Sequence, residues 1–169
     1  MISLIVAVTK DFFIADLSGN GNFSSLEDKK QLRAYLHSSA CDCFICGRKT
    51  AVEFKERLTF KPLFVFSKQI HKDMENLIFV RNIPELFKQM AKRKLINGVL
   101  LGGTEIYDLF LEEQIVDEVR ITKENLIFKN GKKFKWKNYQ SQYHCEHVKK
   151  LSSQTKLYFY RKKTNDKER

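Results

Sequence analysis

Gly98-Val99-Leu100-Leu101-Gly102-Gly103-Thr104-Glu105-Ile106-Tyr107 changes character halfway along. Its first part is a short apolar run of the kind that forms a strand buried on both faces. Two glycines follow, and from Thr104 to Leu111 the pattern is that of a helix. A strand that turns directly into a helix is half of a parallel crossover unit, because parallel neighbours cannot be joined by a tight hairpin.

The same alternation extends outward in both directions. Toward the N-terminus, Ile2 to Val8, Asp42 to Cys46, Leu63 to Phe66 and Leu77 to Val80 read as strands. Pro84 to Lys94 reads as a helix with proline inside its first turn, where the missing N–H costs nothing. Ser24-Ser25-Leu26-Glu27-Asp28 starts another helix, with a serine cap and an acid three positions on to complete a capping box. Leu26, Leu32, Tyr35 and Leu36 are its expected buried stripe. Toward the C-terminus, Asp117 to Thr122 is a sixth strand, and Lys156 to Tyr160 is the clearest strand of a late, strand-rich stretch. The expectation is a single α/β domain over residues 1–161, with a mostly parallel sheet, helices on both faces and an antiparallel C-terminal edge. A basic tail, residues 162–169, is expected to fray.

Composition narrows the setting. A chain of 169 residues, 43% hydrophobic, can bury a core of its own. No apolar run approaches the ~20 residues that span a bilayer, and the N-terminus lacks the basic start of a signal peptide. A soluble, cytoplasmic protein without membrane partners is therefore expected. The net charge of +11 suits nucleic acid, acidic surfaces or small polyanions alike. Cys41, Cys43, Cys46 and Cys145 read as free thiols. With His144 and His147 they could be drawn as a zinc site, but Cys-x-Cys-x-x-Cys on a strand alternates between faces, so no metal is expected. His37 and His71 read as surface residues without catalytic partners, and Trp136 as an anchor for the late strands.

Ligands in open α/β sheets bind beyond the carboxyl ends of the strands. Gly47-Arg48-Lys49-Thr50 follows one such end and offers a close backbone approach, a hydroxyl and two cations to a phosphate. Gly102-Gly103-Thr104 follows another and could lie against a dinucleotide, although it is not the longer Gly-x-Gly-x-x-Gly fingerprint. A third junction is the loop Asp16 to Asn22 with the helix start behind it, where Asp28 sits among Phe23, Leu26 and Leu32. A carboxylate there can accept two hydrogen bonds from an amidine-like edge, or merely favour the helix dipole.

In this order and spacing the junctions resemble the dihydrofolate reductase family over most of the chain. Met1 to Ile5, Ala7, Asp11 and Ile14 look like the family's first strand and the start of its mobile loop, and Asp28 falls at its single active-site acid. Leu32 and Arg33 stand where phenylalanine and lysine are typical. Gly47-Arg48-Lys49-Thr50 matches Gly-Arg-x-Thr, and Leu101 to Tyr107 is similar to the Gly-Gly loop, which in the family contains a cis peptide.

The resemblance implies a dihydrofolate reductase-like fold and NADPH-dependent reduction of 7,8-dihydrofolate, with hydride going to C6 and water delivering a proton to N5. Asp28 would anchor the amino-pyrimidine edge, supported by a hydrogen bond from Thr122. Ile5, Ala7, Phe23, Leu32, Phe54, Leu58, Lys61, Leu101 and Tyr107 would face the substrate. Ala7, Ile14, Gly47, Arg48, Lys49, Thr50, Ser67, Lys68, Gly102, Gly103, Thr104, Glu105 and Ile106 would face the cofactor, with Ser67 near its 2′-phosphate.

Three further sites depart from the family pattern. Asn22-Phe23 replaces Pro-Trp at the end of the mobile loop, Ala51 replaces an aromatic, and Lys61 replaces the arginine that binds the folate carboxylate, supplying charge without a fork. The second resemblance, through Leu32-Arg33-Ala34 and Cys41-Asp42-Cys43, is to the pyrimidine reductase of riboflavin biosynthesis, which uses NADPH on a ribosylamino-pyrimidine phosphate. A basic nucleic-acid-binding domain is the remaining alternative, set aside because the aromatics alternate with aliphatics as core residues do. The chain is expected to act as a monomer or homodimer.

Overall fold

The computed structural model describes residues 1–69 and 71–164. Eight strands form one sheet: β1 (Ile2–Val8), β3 (Cys43–Gly47), β4 (Leu63–Phe66), β5 (Leu77–Val80), β6 (Gly98–Gly102), β7 (Glu118–Glu124), β9 (Tyr143–Lys150) and β10 (Thr155–Lys162). Their spatial order is β5-β4-β3-β6-β1-β7-β10-β9. The first six are mutually parallel, while β10 runs antiparallel to β7 and β9 antiparallel to β10. Two short strands, β2 (Phe13–Ala15) and β8 (Lys132–Lys133), pair separately.

Four helices cover the sheet: α1 (Leu26–His37), α2 (Arg48–Leu58), α3 (Ile83–Lys92) and α4 (Thr104–Glu112). Because strand side chains alternate, each face gathers its own core. Leu36 of α1, and Ala51 and Leu58 of α2, pack with Ile5, Phe44, Cys46, Val65 and Val99 on one face. On the other, Leu86 and Met90 of α3 and Ile106, Phe110 and Leu111 of α4 pack with Leu4, Val6, Ile45 and Leu100. Trp136, 2% exposed, joins this second core between Tyr143 and Tyr160, so it anchors the late strands as expected.

Several boundaries shift. Asn82 caps α3 by accepting from the Glu85 amide at 2.9 Å, and Pro84 follows in the first turn. Strand β7 continues to Glu124, two residues past the expected end. Strand β10 includes Lys162, whose amide donates to Asp117 O, and Lys163 N donates to Gln142 O, both at 2.9 Å. The start of the basic stretch is thus bonded to the domain, and residues 165–169 of the expected tail lie outside the described residues.

Two details of α1 correct the expectation. Leu26 is 80% exposed and leaves the buried stripe to Leu36, with Leu32 and Tyr35 half-buried. The capping box is also only half made. Ser25 Oγ accepts from Asp28 N at 3.3 Å, but the Ser25 amide donates to Glu124 of β7 at 2.8 Å instead of to an acid of its own helix. Among the described residues no helix is long and apolar enough to cross a membrane.

Candidate active site

The parallel strands β1, β3, β4, β6 and β7 all end at the same edge of the sheet, where Ala7, Ser67, Thr122 and the two glycine motifs lie, whereas Leu58 and Lys61 lie toward the starts of β3 and β4. Strands β3 and β6 are neighbours, with Cys46 beside Gly102, so the two glycine motifs become one wall. A Cβ on Gly47 would sit 3.3 Å from Ile106 Cγ1 and 3.8 Å from Gly103 N. One on Gly102, where φ is +123°, would meet Tyr107 Oη at 3.4 Å and Thr50 Oγ1 at 3.6 Å. The Gly102–Gly103 peptide is cis.

Glycine caps both α2 and α4 without a side-chain hydrogen bond, so the first-turn amides of two helices point at the cleft unclaimed by a cap. Arg48 and Lys49 stand exposed on the first turn of α2, Arg48 bonded to Gln69 Oε1, while Thr104 and Glu105 occupy the first turn of α4. This wall fits a phosphorylated dinucleotide: bare backbone, helix amides and cations at one place.

Ser67 follows β4 nearby, 9% exposed, with Lys68 exposed beside it. The Ser67 hydroxyl accepts from Gln69 N at 3.2 Å and lies 3.0 Å from His71 Nε2. His71 also stacks on Phe79 with centroids 4.4 Å apart. His37 stacks on Phe60 at the far end of α1, away from these junctions.

The opposite wall is made by α1 against β7. Asp28 is only 3% exposed. Its Oδ1 accepts from Thr122 Oγ1 at 2.6 Å and from Gln31 Nε2 at 3.0 Å. Oδ2 has no protein partner among the described residues, yet it is not one of their sealed, unpartnered polar atoms, so it stays open to the cleft. Asp28 thus presents a free carboxylate edge, held by its other oxygen.

Thr122 belongs to a row of β7 side chains that share a face. Arg120 lies 3.8 Å from the Tyr35 ring centroid of α1, Thr122 meets Asp28, and Glu124 takes the Ser25 cap. Glu124 escaped the sequence reading altogether. Its two-residue spacing from Thr122 was the only available signal.

Between the walls, Ile5 and Leu58 are buried, while Leu32, Phe54 and Leu101 are half-buried on the same apolar cluster. Ala7 is half-buried at the end of β1 and pairs in register with Thr122. Tyr107 donates to Ile5 O at 2.8 Å, and burial pushes its phenol far above the usual range. This hydroxyl is a brace between α4 and β1 rather than an acid.

The loop after β1 closes one end. Phe23 meets Phe128 edge-on at 5.1 Å, and half-buried Ile14 packs on the core. Asp11 accepts from Thr9 Oγ1 at 2.6 Å, Phe128 N at 3.2 Å and Lys129 N at 2.8 Å. Partial burial works against its ionised form, but these donors outweigh it and hold the carboxyl below its usual range.

Lys61 needs a correction. Its ammonium donates to three main-chain carbonyls at the end of α1 and just after it: Leu36 O at 2.8 Å, Ser38 O at 2.8 Å and Cys41 O at 2.5 Å. An ammonium has three donors, so none remains for a substrate carboxylate. The cysteines do not form a cluster: Cys41, Cys43 and Cys46 are buried thiols and Cys145 is exposed. Among the described residues, no group of three or more His, Cys, Asp or Glu is placed to hold a metal ion.

Solved structures of other proteins share this architecture. A protein described as a riboflavin biosynthesis protein from Shewanella sp. PV-4 superposes with a TM-score of 0.75 at 17% identity, covering 96% of this chain and 99% of its own. The diaminohydroxyphosphoribosylaminopyrimidine deaminase/5-amino-6-(5-phosphoribosylamino)uracil reductase of Thermotoga maritima gives the same TM-score at 16% identity over 96% of this chain. The chain spans 56% of that longer protein. No curated protein sequence matches. The family model described as dihydrofolate reductase matches residues 1–164, and the chain belongs to that family. It is an oxidoreductase of the dihydrofolate reductase-like fold.

Proposed function

We propose that the protein reduces 7,8-dihydrofolate to tetrahydrofolate with NADPH. The observation that carries this reading is the buried Asp28, locked to Thr122 by Oδ1 and open to the cleft through Oδ2. A 2-amino-4-oxo-pyrimidine edge offers two adjacent donors to such a carboxylate, and charge assistance strengthens both bonds. Bound along the glycine wall, NADPH supplies the hydride. Gly47, Gly102 and Gly103 leave room for its backbone, the amides of α2 and α4 face its pyrophosphate, and Arg48, Lys49 and Ser67 meet its 2′-phosphate.

Asp28 fixes the ring so that its reducible bond faces the cofactor wall, and its negative charge favours protonation at N5. Leu32, Phe54 and Leu101 exclude water from the ring faces. The decisive experiment is NADPH oxidation with dihydrofolate, comparing wild type with Asp28→Asn. Wild-type turnover with a loss of about 100-fold or more in the variant is expected, given the typical contribution of a positioned acid. An inactive wild type, or equal rates, overturns the reading.

One observation favours a second substrate. All three Lys61 donors are occupied by carbonyls, so Lys61 has none left for a folate glutamate. A ribosylamino-pyrimidine phosphate that carries the 2-amino group presents the same ring edge to Asp28 without that tail. Methotrexate separates the two: tight binding supports the folate substrate, whereas retained NADPH binding without methotrexate binding supports the pyrimidine.

A further inference from the structure

Glu124 is a buried acid with no part in the chemistry above. It is 5% exposed and its hydrogen-bond partners include no cation. Oε1 accepts from Ser25 N at 2.8 Å and Ser25 Oγ at 2.9 Å, and Oε2 accepts from Thr155 Oγ1 at 2.7 Å. A carboxylate left unpaired in such a place is costly, and three donors aimed at it remove that cost.

The consequence lies one step further on. Asp28 is three residues after the Ser25 cap, the position from which an acid ordinarily reaches back to the cap's amide. Here Glu124 already holds that amide. It also takes the Ser25 hydroxyl proton, which turns a lone pair of the same oxygen toward Asp28 N, 3.3 Å away. The Asp28 carboxylate, relieved of capping, is free to accept from Thr122 and face the cleft.

We propose that Glu124 is a positioning residue: it stands in for Asp28 in the capping box and so releases Asp28 to the substrate. The proposal rests on the reading of Asp28 as the substrate carboxylate. Without Glu124, Asp28 turns back to cap its own helix. The helix survives, but the substrate loses its anchor.

Three variants test this: Glu124→Ala, Glu124→Leu, which fills the volume should alanine fold poorly, and Glu124→Gln, whose amide oxygen still accepts from Ser25. Alanine or leucine should weaken methotrexate binding and lower kcat/KM for dihydrofolate by about 10-fold, the scale of one charged hydrogen bond, with the NADPH Kd within about 2-fold of wild type. Glutamine should restore both to within about 3-fold. A crystal structure of Glu124→Ala should show the Asp28 carboxylate on the Ser25 amide and off Thr122.

The proposal is overturned if Asp28 stays on Thr122 in that structure, if glutamine fails to rescue, or if NADPH binding falls in step with methotrexate. If wild type neither binds methotrexate nor uses dihydrofolate, it is the substrate reading that fails. The position of Asp28 in the alanine variant then decides this proposal alone.

Discussion

The two walls of the cleft are built from different atoms. On the β3–β6 side the working surface is backbone: Gly47, Gly102 and Gly103 matter because they have no side chain, and the amides of α2 and α4 are left without side-chain caps. On the α1–β7 side it is side chain meeting side chain, Asp28 with Thr122 and Glu124 with Ser25. A backbone wall gives up ligand space with each added side-chain atom, whereas a side-chain wall degrades one hydrogen bond at a time. The sharpest way to break the contrast is Gly102→Ala. At φ +123° an L side chain is strained, and its Cβ would sit 3.4 Å from Tyr107 Oη and 3.6 Å from Thr50 Oγ1. NADPH affinity, measured by fluorescence titration, should fall on the order of 100-fold, about 2.7 kcal/mol. Unchanged affinity would remove the glycine wall from cofactor binding.

Thr122→Val is the matching cut on the other wall. It keeps the shape and deletes the donor to a carboxylate that is 3% exposed. Removing a hydrogen bond to a charged group costs about 1.5–3 kcal/mol, so methotrexate affinity should fall by about 10-fold or more while NADPH affinity holds. Equal losses for both ligands would mean that the walls are not independent.

This contrast also governs what was legible beforehand. The glycine wall is local in sequence: each motif spans a few residues at a strand end, so its chemistry could be read before its neighbour was known. Only the pairing of Cys46 with Gly102 had to come from the fold. Asp28 was legible by position, but its state was not, because the residue that frees it from capping lies 99 positions beyond Ser25. Leu26 was misplaced for a related reason. An apolar residue on a helix does not reveal where the sheet beneath it ends, and this one is 80% exposed. Lys61 was read from the family position it occupies, yet its three acceptors are carbonyls 20 to 25 residues earlier, at the end of α1 and in the irregular stretch after it, which no local pattern links to Lys61.

Lys61→Met sharpens that last point with a smaller effect. If Lys61 serves only the carbonyls at and just after the end of α1, the loss is in stability, about 1–3 kcal/mol and several degrees of Tm. The KM for dihydrofolate should stay within about 2-fold, since no ammonium donor is free in the wild type. A selective rise in that KM, with stability unchanged, would return Lys61 to the substrate.

The mildest test uses the buried thiols of β3 and of the residues just before it. Burial pushes Cys41 up to about 11 and Cys43 and Cys46 up to about 12, from an ordinary value of 9.0. Cys41 also feels the Lys61 ammonium, which opposes that rise. The folded state favours the neutral thiols, so their contribution to stability is complete below pH ~9 and is lost as pH rises toward ~11–12. At pH 8 a thiol reagent should therefore label Cys145 quickly and the other three only through opening of the fold. Cys46 immediately precedes Gly47, so a cofactor seated on the glycine wall must suppress opening there. Saturating NADPH should slow labelling of Cys46 by the ratio of ligand concentration to Kd. Methotrexate without NADPH, acting through the α1–β7 wall, should protect Cys46 less than NADPH does for the same ratio of ligand to Kd; equal protection would mean that the two walls open as one unit.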